Sequence, residues 1–99
     1  MSMRGRFDAV ACYNDALASA VISSFVREGI EIPSEVSVTG FDDLPLASCL
    51  NPSLTTITNP VMEMGRCAAE MSLALYKHEE YTLPEFRTEI VRRESVRKA

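Results

Sequence analysis

Histidine is almost missing from this chain: one residue, His78, in 99. It stands in a polar connector between Lys77 and the Glu79-Glu80 pair. No cysteine pairs with it nearby in sequence, and its polar setting reads as a surface position. No serine lies in a G-x-S-x-G elbow, and the cysteine and histidine spacings match no zinc pattern. Glycine is scarce, at four residues, and Gly40 does not open a phosphate-cradling loop. Outside the acidic pair Asp42-Asp43, the sequence therefore offers no catalytic residue and no metal site, and it points to no cofactor. Cysteine is odd in number: Cys12, Cys49 and Cys67 lie far apart among apolar neighbours. That fits buried free thiols in a reducing cytosol better than a disulfide framework. Long hydrophobic runs are lacking too. The longest, over 16–26, is broken by serines and falls short of the ~20 apolar residues of a membrane span. The opening Met1-Ser2-Met3-Arg4-Gly5-Arg6 is basic but leads into no apolar core. It reads as an initiator and vector or linker remnant over 1–6, not a signal peptide. Basic charge is in deficit, with 10 Lys+Arg against 14 Asp+Glu and a net charge of −4. This disfavours nucleic acid as the segment's own partner. The one basic cluster, Arg92, Arg93, Arg97 and Lys98, is terminal and reads as a solvated strand end, with a phosphate-binding tail as the alternative.

What is present suits one globular domain: 46% of residues are hydrophobic and 24% charged. A chain of this length buries roughly 65% of its unfolded surface, enough for one modest core. Phe7-Asp8-Ala9-Val10-Ala11-Cys12-Tyr13 is a nearly continuous apolar run, as for a strand covered on both faces. Asn14-Asp15 can cap the helix that follows, whose apolar positions Leu17, Ala20, Val21, Ser24 and Phe25 recur at helical spacing. Gly29 supplies its left-handed stop. Val36-Ser37-Val38-Thr39-Gly40-Phe41 is a second strand, rich in β-branched residues. Strand, helix and strand within about 35 residues make a βαβ unit and hence a parallel sheet with flanking helices. The fold class is α/β.

Residues 42–53 read as an ordered loop, and Leu54-Thr55-Thr56-Ile57-Thr58 as a short strand. Asn59-Pro60 predicts a helix start, with asparagine as cap and proline in the first turn. Met64, Cys67, Ala68, Met71 and Leu75 then form an apolar stripe to about Tyr76, and the methionines Met62, Met64 and Met71 read as helix packing. After a polar connector, the alternation over 86–95 predicts a final strand, with Phe86, Thr88 and Ile90 on one face.

Two constellations bear on function. Asn14 and Asp42 each fall just past the carboxyl end of a strand, the edge where open α/β sheets bind ligands. The Asn14 amide can both donate and accept, toward a ligand as well as toward its helix. In Gly40-Phe41-Asp42-Asp43, adjacent carboxylates suit sugar hydroxyls or the N–H edge of a base. They could equally hold Mg²⁺, as in a phosphoacceptor receiver-like domain, or one could cap the turn from Leu44.

Read in order, the phrases of the chain resemble one family. Asp8-Ala9-Val10-Ala11-Cys12-Tyr13-Asn14-Asp15-Ala16-Leu17-Ala18 is similar to the "D-A-hydrophobic-x-x-x-N-D-x-x-A" segment of lactose-repressor/galactose-repressor transcription regulators. Glu28-Gly29-Ile30-Glu31-Ile32-Pro33-Ser34-Glu35-Val36-Ser37-Val38 resembles their connector, and Gly40-Phe41-Asp42-Asp43 their G-F-D-D. Asn51-Pro52-Ser53-Leu54-Thr55-Thr56-Ile57, Met64-Gly65, Ala68-Ala69 and Arg93-Glu94-Ser95 complete the series.

The resemblance implies a cytoplasmic regulator, not an enzyme. It implies part of a periplasmic-binding-protein-like effector domain over 7–99: a partial Rossmann-like lobe, two such lobes enclosing a small ligand in the complete domain. In that family Asn14 and Asp42 match positions that hydrogen-bond the effector, typically a sugar or nucleobase, and Val61 matches a cleft-lining position. Asp15 is assigned to capping. The first helix and the loop 46–50 match surfaces used for dimerisation, and DNA is contacted through an amino-terminal domain absent from this chain. Family chains are about three times longer, so the helix from Pro60 would normally pack on strands that this chain lacks. Its apolar stripe should not stay in water, which implies a rearranged fold or an intertwined homodimer.

Overall fold

The computed structural model describes residues 5–98. Residues 1–4, most of the segment read as a remnant, lie outside that range. In chain order the elements are β1 (Ala9–Ala11), α1 (Asp15–Arg27), β2 (Ser37–Thr39), a 3-10 turn (Pro45–Ser48), β3 (Thr56–Ile57), α2 (Val61–Tyr76) and β4 (Ile90–Val91).

β1 and β2 pair in parallel, with Ala9 opposite Ser37 and Ala11 opposite Thr39. Single parallel bridges, Thr39 to Thr55 and Asp42 to Thr58, carry the sheet across to the β3 segment. β4 then pairs antiparallel to β3. The predicted βαβ unit is thus present, with shorter strands than expected.

α1 begins where Asn14 accepts the Leu17 N–H at 2.8 Å. It ends in a Schellman arrangement: Gly29 sits at φ +74°, its N–H bonds Val26 O, and the Ile30 N–H reaches back to Phe25 O at 2.9 Å. The helix face differs from the sequence reading. Ala18, Ile22 and Phe25 are buried, whereas Leu17 is 49% exposed. The anchor that sets this rotation is Asp15, fully buried at the first helical position, which the apolar spacing could not reveal.

One core holds the molecule. Ala18, Ile22 and Phe25 of α1 meet Ile30, Val36, Val38, Ala47 and Leu54, with Phe7, Val10, Cys12 and Val21 packed at its margin. Burying each of the larger side chains stabilises the fold by about 1.5–3 kcal/mol. Ala9 and Ala11 are exposed, so β1 is not covered on both faces. Of the three thiols only Cys67 is buried; Cys12 is half-buried and Cys49 exposed.

The carboxyl-terminal half departs further from expectation. α2 stands away from the core instead of rearranging, and the molecule extends 58 × 25 × 24 Å. Val61, Met64, Leu73, Leu75 and Tyr76 are exposed; within the expected stripe only Cys67 is buried. The segment 77–89 is irregular and only Ile90–Val91 pairs, so the strand expected over 86–95 is reduced to two residues. Tyr81 from that segment donates to Glu70 at 3.0 Å and fastens the strap to α2. Among the described residues, no helix is long and apolar enough to cross a membrane.

Candidate functional site

Parallel register decides where the candidate residues lie. Ala11 opposes Thr39, so Asn14 and Asp42, each three residues further on, stand at the same level beyond the strand ends. Asp42 bridges to Thr58, which brings the third segment to that level too. The Asp15 N–H bonds Phe41 O at 3.0 Å and ties the first two segments together.

Asn14 and Asp42 are both half-buried. Asn14 uses Oδ1 as the helix cap, and its Nδ2 has no partner among the described residues. Asp42 Oδ1 accepts from Asn59 Nδ2 at 3.1 Å, leaving Oδ2 free. Asn59 was expected to cap α2 but does not; Pro60 takes the cap position without any side-chain hydrogen bond. Asn59 turns back to the acidic edge because Asp42 offers a charge-assisted acceptor there. Its carbonyl accepts the Val61 N–H at 2.7 Å. Val61 is 56% exposed. A cavity of about 140 Å³ opens beside these segments, lined by Thr39, Gly40, Thr55, Thr56, Ile57 and Ile90 but not by the three candidate residues.

Asp15 is not a cap. Its buried carboxylate accepts the Thr56 hydroxyl at 2.6 Å and the Leu44 N–H at 2.7 Å. Helix, acidic loop and β3 are therefore joined through one side chain. Gly40 makes room for it: a Cβ there would overlap Asp15 Oδ1 and press on Leu54 Cδ2. The sequence signal for this was a glycine interrupting a β-branched strand opposite a second, redundant capping residue.

Asp42 and Asp43 both adopt left-handed backbone, at φ 111° and 52°. Non-glycine residues seldom do so, because Cβ crowds the backbone there. Asp43 Oδ1 pairs with Arg93 Nη2 at 2.9 Å, both side chains being largely buried. Arg93 Nη1 also donates to Leu54 O at 2.9 Å. Its neighbours continue the seam: Glu94 accepts from Ser53, and Ser95 accepts the Thr55 N–H and donates to Val38 O. Arg97 donates to Ser34 O, so the basic cluster is partly internal bracing and not merely a solvated end. Among the described residues, no group of three His, Cys, Asp or Glu side chains could hold a metal ion. Burial pushes the Cys12 thiol above its usual range, so it stays protonated at neutral pH.

A parallel βαβ lobe carrying polar side chains on its carboxyl edge defines an α/β ligand-binding domain. Residues 2–96 match the family model for the periplasmic binding protein-like domain. The chain belongs to that family, within its lactose-repressor/galactose-repressor branch. It is 43% identical to the HTH-type transcriptional regulator GalR of Escherichia coli K12, over 94% of this chain and 28% of that protein. It is 37% identical to the HTH-type transcriptional repressor PurR of Photobacterium profundum, over 98% of this chain and 30% of that protein. A LacI-type regulator structure from Alkaliphilus metalliredigens, complexed with D-xylulofuranose, aligns with a TM-score of 0.81 at 26% identity. That alignment covers 94% of this chain and 36% of the other. The chain thus spans about a third or less of the relatives it matches. This membership leaves the receiver-like alternative without support.

Proposed function

We propose that this chain is the effector-facing, carboxyl-terminal part of a cytoplasmic, ligand-sensing transcription regulator and carries no catalysis of its own. Asn14 donates through Nδ2 and Asp42 accepts through Oδ2, gripping a small polyhydroxylated or nitrogenous metabolite, a sugar or nucleobase, while Val61 lines the contact. The observation that carries this reading is the unused donor and unused acceptor standing at one level on one sheet edge. Each side chain is already oriented through its Oδ1, which lowers the ordering cost of binding.

The same reading makes the segment part of a homodimer and assigns DNA contact to another domain. The net charge of −4 suits that division. Chemical-shift mapping of this chain with D-xylulose and with adenine tests the site, since it detects binding in the millimolar range. The expected result is saturable shifts at Asn14 and Asp42 with one probe, abolished by Asp42→Ala. Calorimetry on a complete regulator carrying this segment gives the sharper answer: Asp42→Ala leaving affinity within about twofold removes the assignment.

A further inference from the structure

The acidic edge is held from a distance. Two consecutive aspartates occupy left-handed backbone, and their restraints come from three other segments. The Asp42 N–H bonds Ile57 O at 2.9 Å, and its carboxylate takes Asn59. The N–H just after the acidic pair, of Leu44, is held by Asp15. Between these fixed points lies Asp43, whose own N–H makes only a long 3.4 Å contact with Thr56 Oγ1. Among the described residues its one short restraint is the 2.9 Å ion pair to Arg93, fifty residues away in sequence.

We propose that Arg93 is a positioning residue for Asp42: by clamping Asp43 it holds the Asp42-Asp43 backbone left-handed and keeps Asp42 Oδ2 turned to the ligand edge. The clamp uses the fork of the guanidinium. Nη1 is anchored on Leu54 O while Nη2 carries Asp43, so the loop is referred directly to the core strand segment. An ammonium group can satisfy either partner but lacks the planar fork that spans both. The Arg93 backbone is itself fixed, since its N–H donates to Thr55 Oγ1 at 2.8 Å and its carbonyl accepts from the same hydroxyl. The fork therefore cannot follow the loop if the loop relaxes.

This inference rests on the proposed effector role of Asp42, and its test separates the two. The first readout is independent of ligand: three-bond amide–Hα couplings and amide exchange at Asp42 and Asp43, on the full chain. Arg93→Gln and Asp43→Asn are each expected to move both residues out of left-handed backbone, while exchange at Val38 and Leu54 stays unchanged. Arg93→Lys is expected to restore the couplings only in part. The second readout is the affinity of the chain for D-xylulose and for adenine. Either single variant should weaken whichever probe binds by about tenfold, and the double variant no further, as for two members of one interaction. Unchanged couplings in Arg93→Gln overturn the clamp, and so do additive losses in the double variant. If the couplings move but neither probe binds, or Asp42→Ala leaves binding intact, the positioning claim for a ligand falls while the backbone clamp stands. Loss of protection at Val38 in Arg93→Gln would show a general structural role instead, and the milder Asp43→Asn then decides.

Discussion

Glycine is used here in two unrelated ways, and substitution separates them. At Gly40 the missing Cβ is a packing requirement, because the Asp15 carboxylate and Leu54 occupy its place. A Cβ at Gly65, on the exposed body of α2, would meet nothing beyond its own helix backbone within 4 Å. Gly40→Ala is therefore expected to destabilise the chain by about 3 kcal/mol, from overpacking against a side chain that cannot move without losing Thr56 and Leu44. Gly65→Ala is expected to stabilise it by roughly 0.5–1 kcal/mol, since alanine restricts the unfolded backbone and fits a helix interior. Urea unfolding of the two variants beside the parent chain measures both. A neutral Gly40→Ala would show that the Asp15 carboxylate is not fixed where the structure places it.

Among the elements, α2 and the strap beneath it behave as an appendage with its own pH response. Tyr81 and Arg66 both donate to Glu70, and together they hold that carboxyl below its ordinary value of 4.5, Tyr81 contributing most. Tyr81 in turn is raised well above 10.0, by the neighbouring Cys67 above all, with desolvation and Glu70 adding to it. A lowered carboxyl stabilises the contact above its unfolded pKa and loses that contribution as pH falls through the folded one. A raised phenol stabilises it below its unfolded pKa and loses that contribution only as pH rises through the folded one. The strap should thus stay fastened across neutral pH and loosen in acid below about 4.5, while the core persists. Tyr81 ring resonances followed by NMR through that range check this, and Tyr81→Phe should remove the acid step. An acid step that survives in Tyr81→Phe would place the transition elsewhere. Local signals for these elements were legible: Asn14 as cap, Gly29 as stop, the two parallel strands and the start of a second helix. What escaped the sequence was always long-range. Asn59 follows ordinary capping grammar, yet its amide goes to Asp42, and the phase of α1 follows a buried Asp15 whose partners lie 29 and 41 residues away. At the candidate site, the level of Asn14 and Asp42 could be read from strand spacing. The Asn59, Thr56 and Arg93 side chains that orient the edge could not.

For the molecule as a whole, shape is the telling quantity. A compact chain of this length has a radius of gyration of about 13 Å, whereas this one has 18.1 Å. The excess comes from α2, which carries its apolar side chains out into solvent. Val61, Met64, Ala68, Met71 and Leu75 recur at alternating steps of three and four residues, the spacing of a helix-pairing seam. At about 25 cal/mol per Å² of apolar surface, leaving this stripe wet is unfavourable. A twofold axis can lay it against its own copy along the Gly65 and Ser72 side, which is exposed and uncharged, whereas Cys67 and Ala74 on the other side are buried within the chain. The isolated chain is accordingly expected to be a homodimer joined through α2. Met64→Glu combined with Leu75→Glu should return it to a monomer, with a scattering radius near the 18.1 Å of the single chain. Because those positions touch none of the core, the charged variant should change the unfolding midpoint of the β1–α1–β2 unit by no more than a surface substitution does, within about 0.5 kcal/mol. Sedimentation equilibrium over a hundredfold range of concentration reads the association directly, and a parent chain that stays monomeric throughout would show that this face does not pair with its own copy.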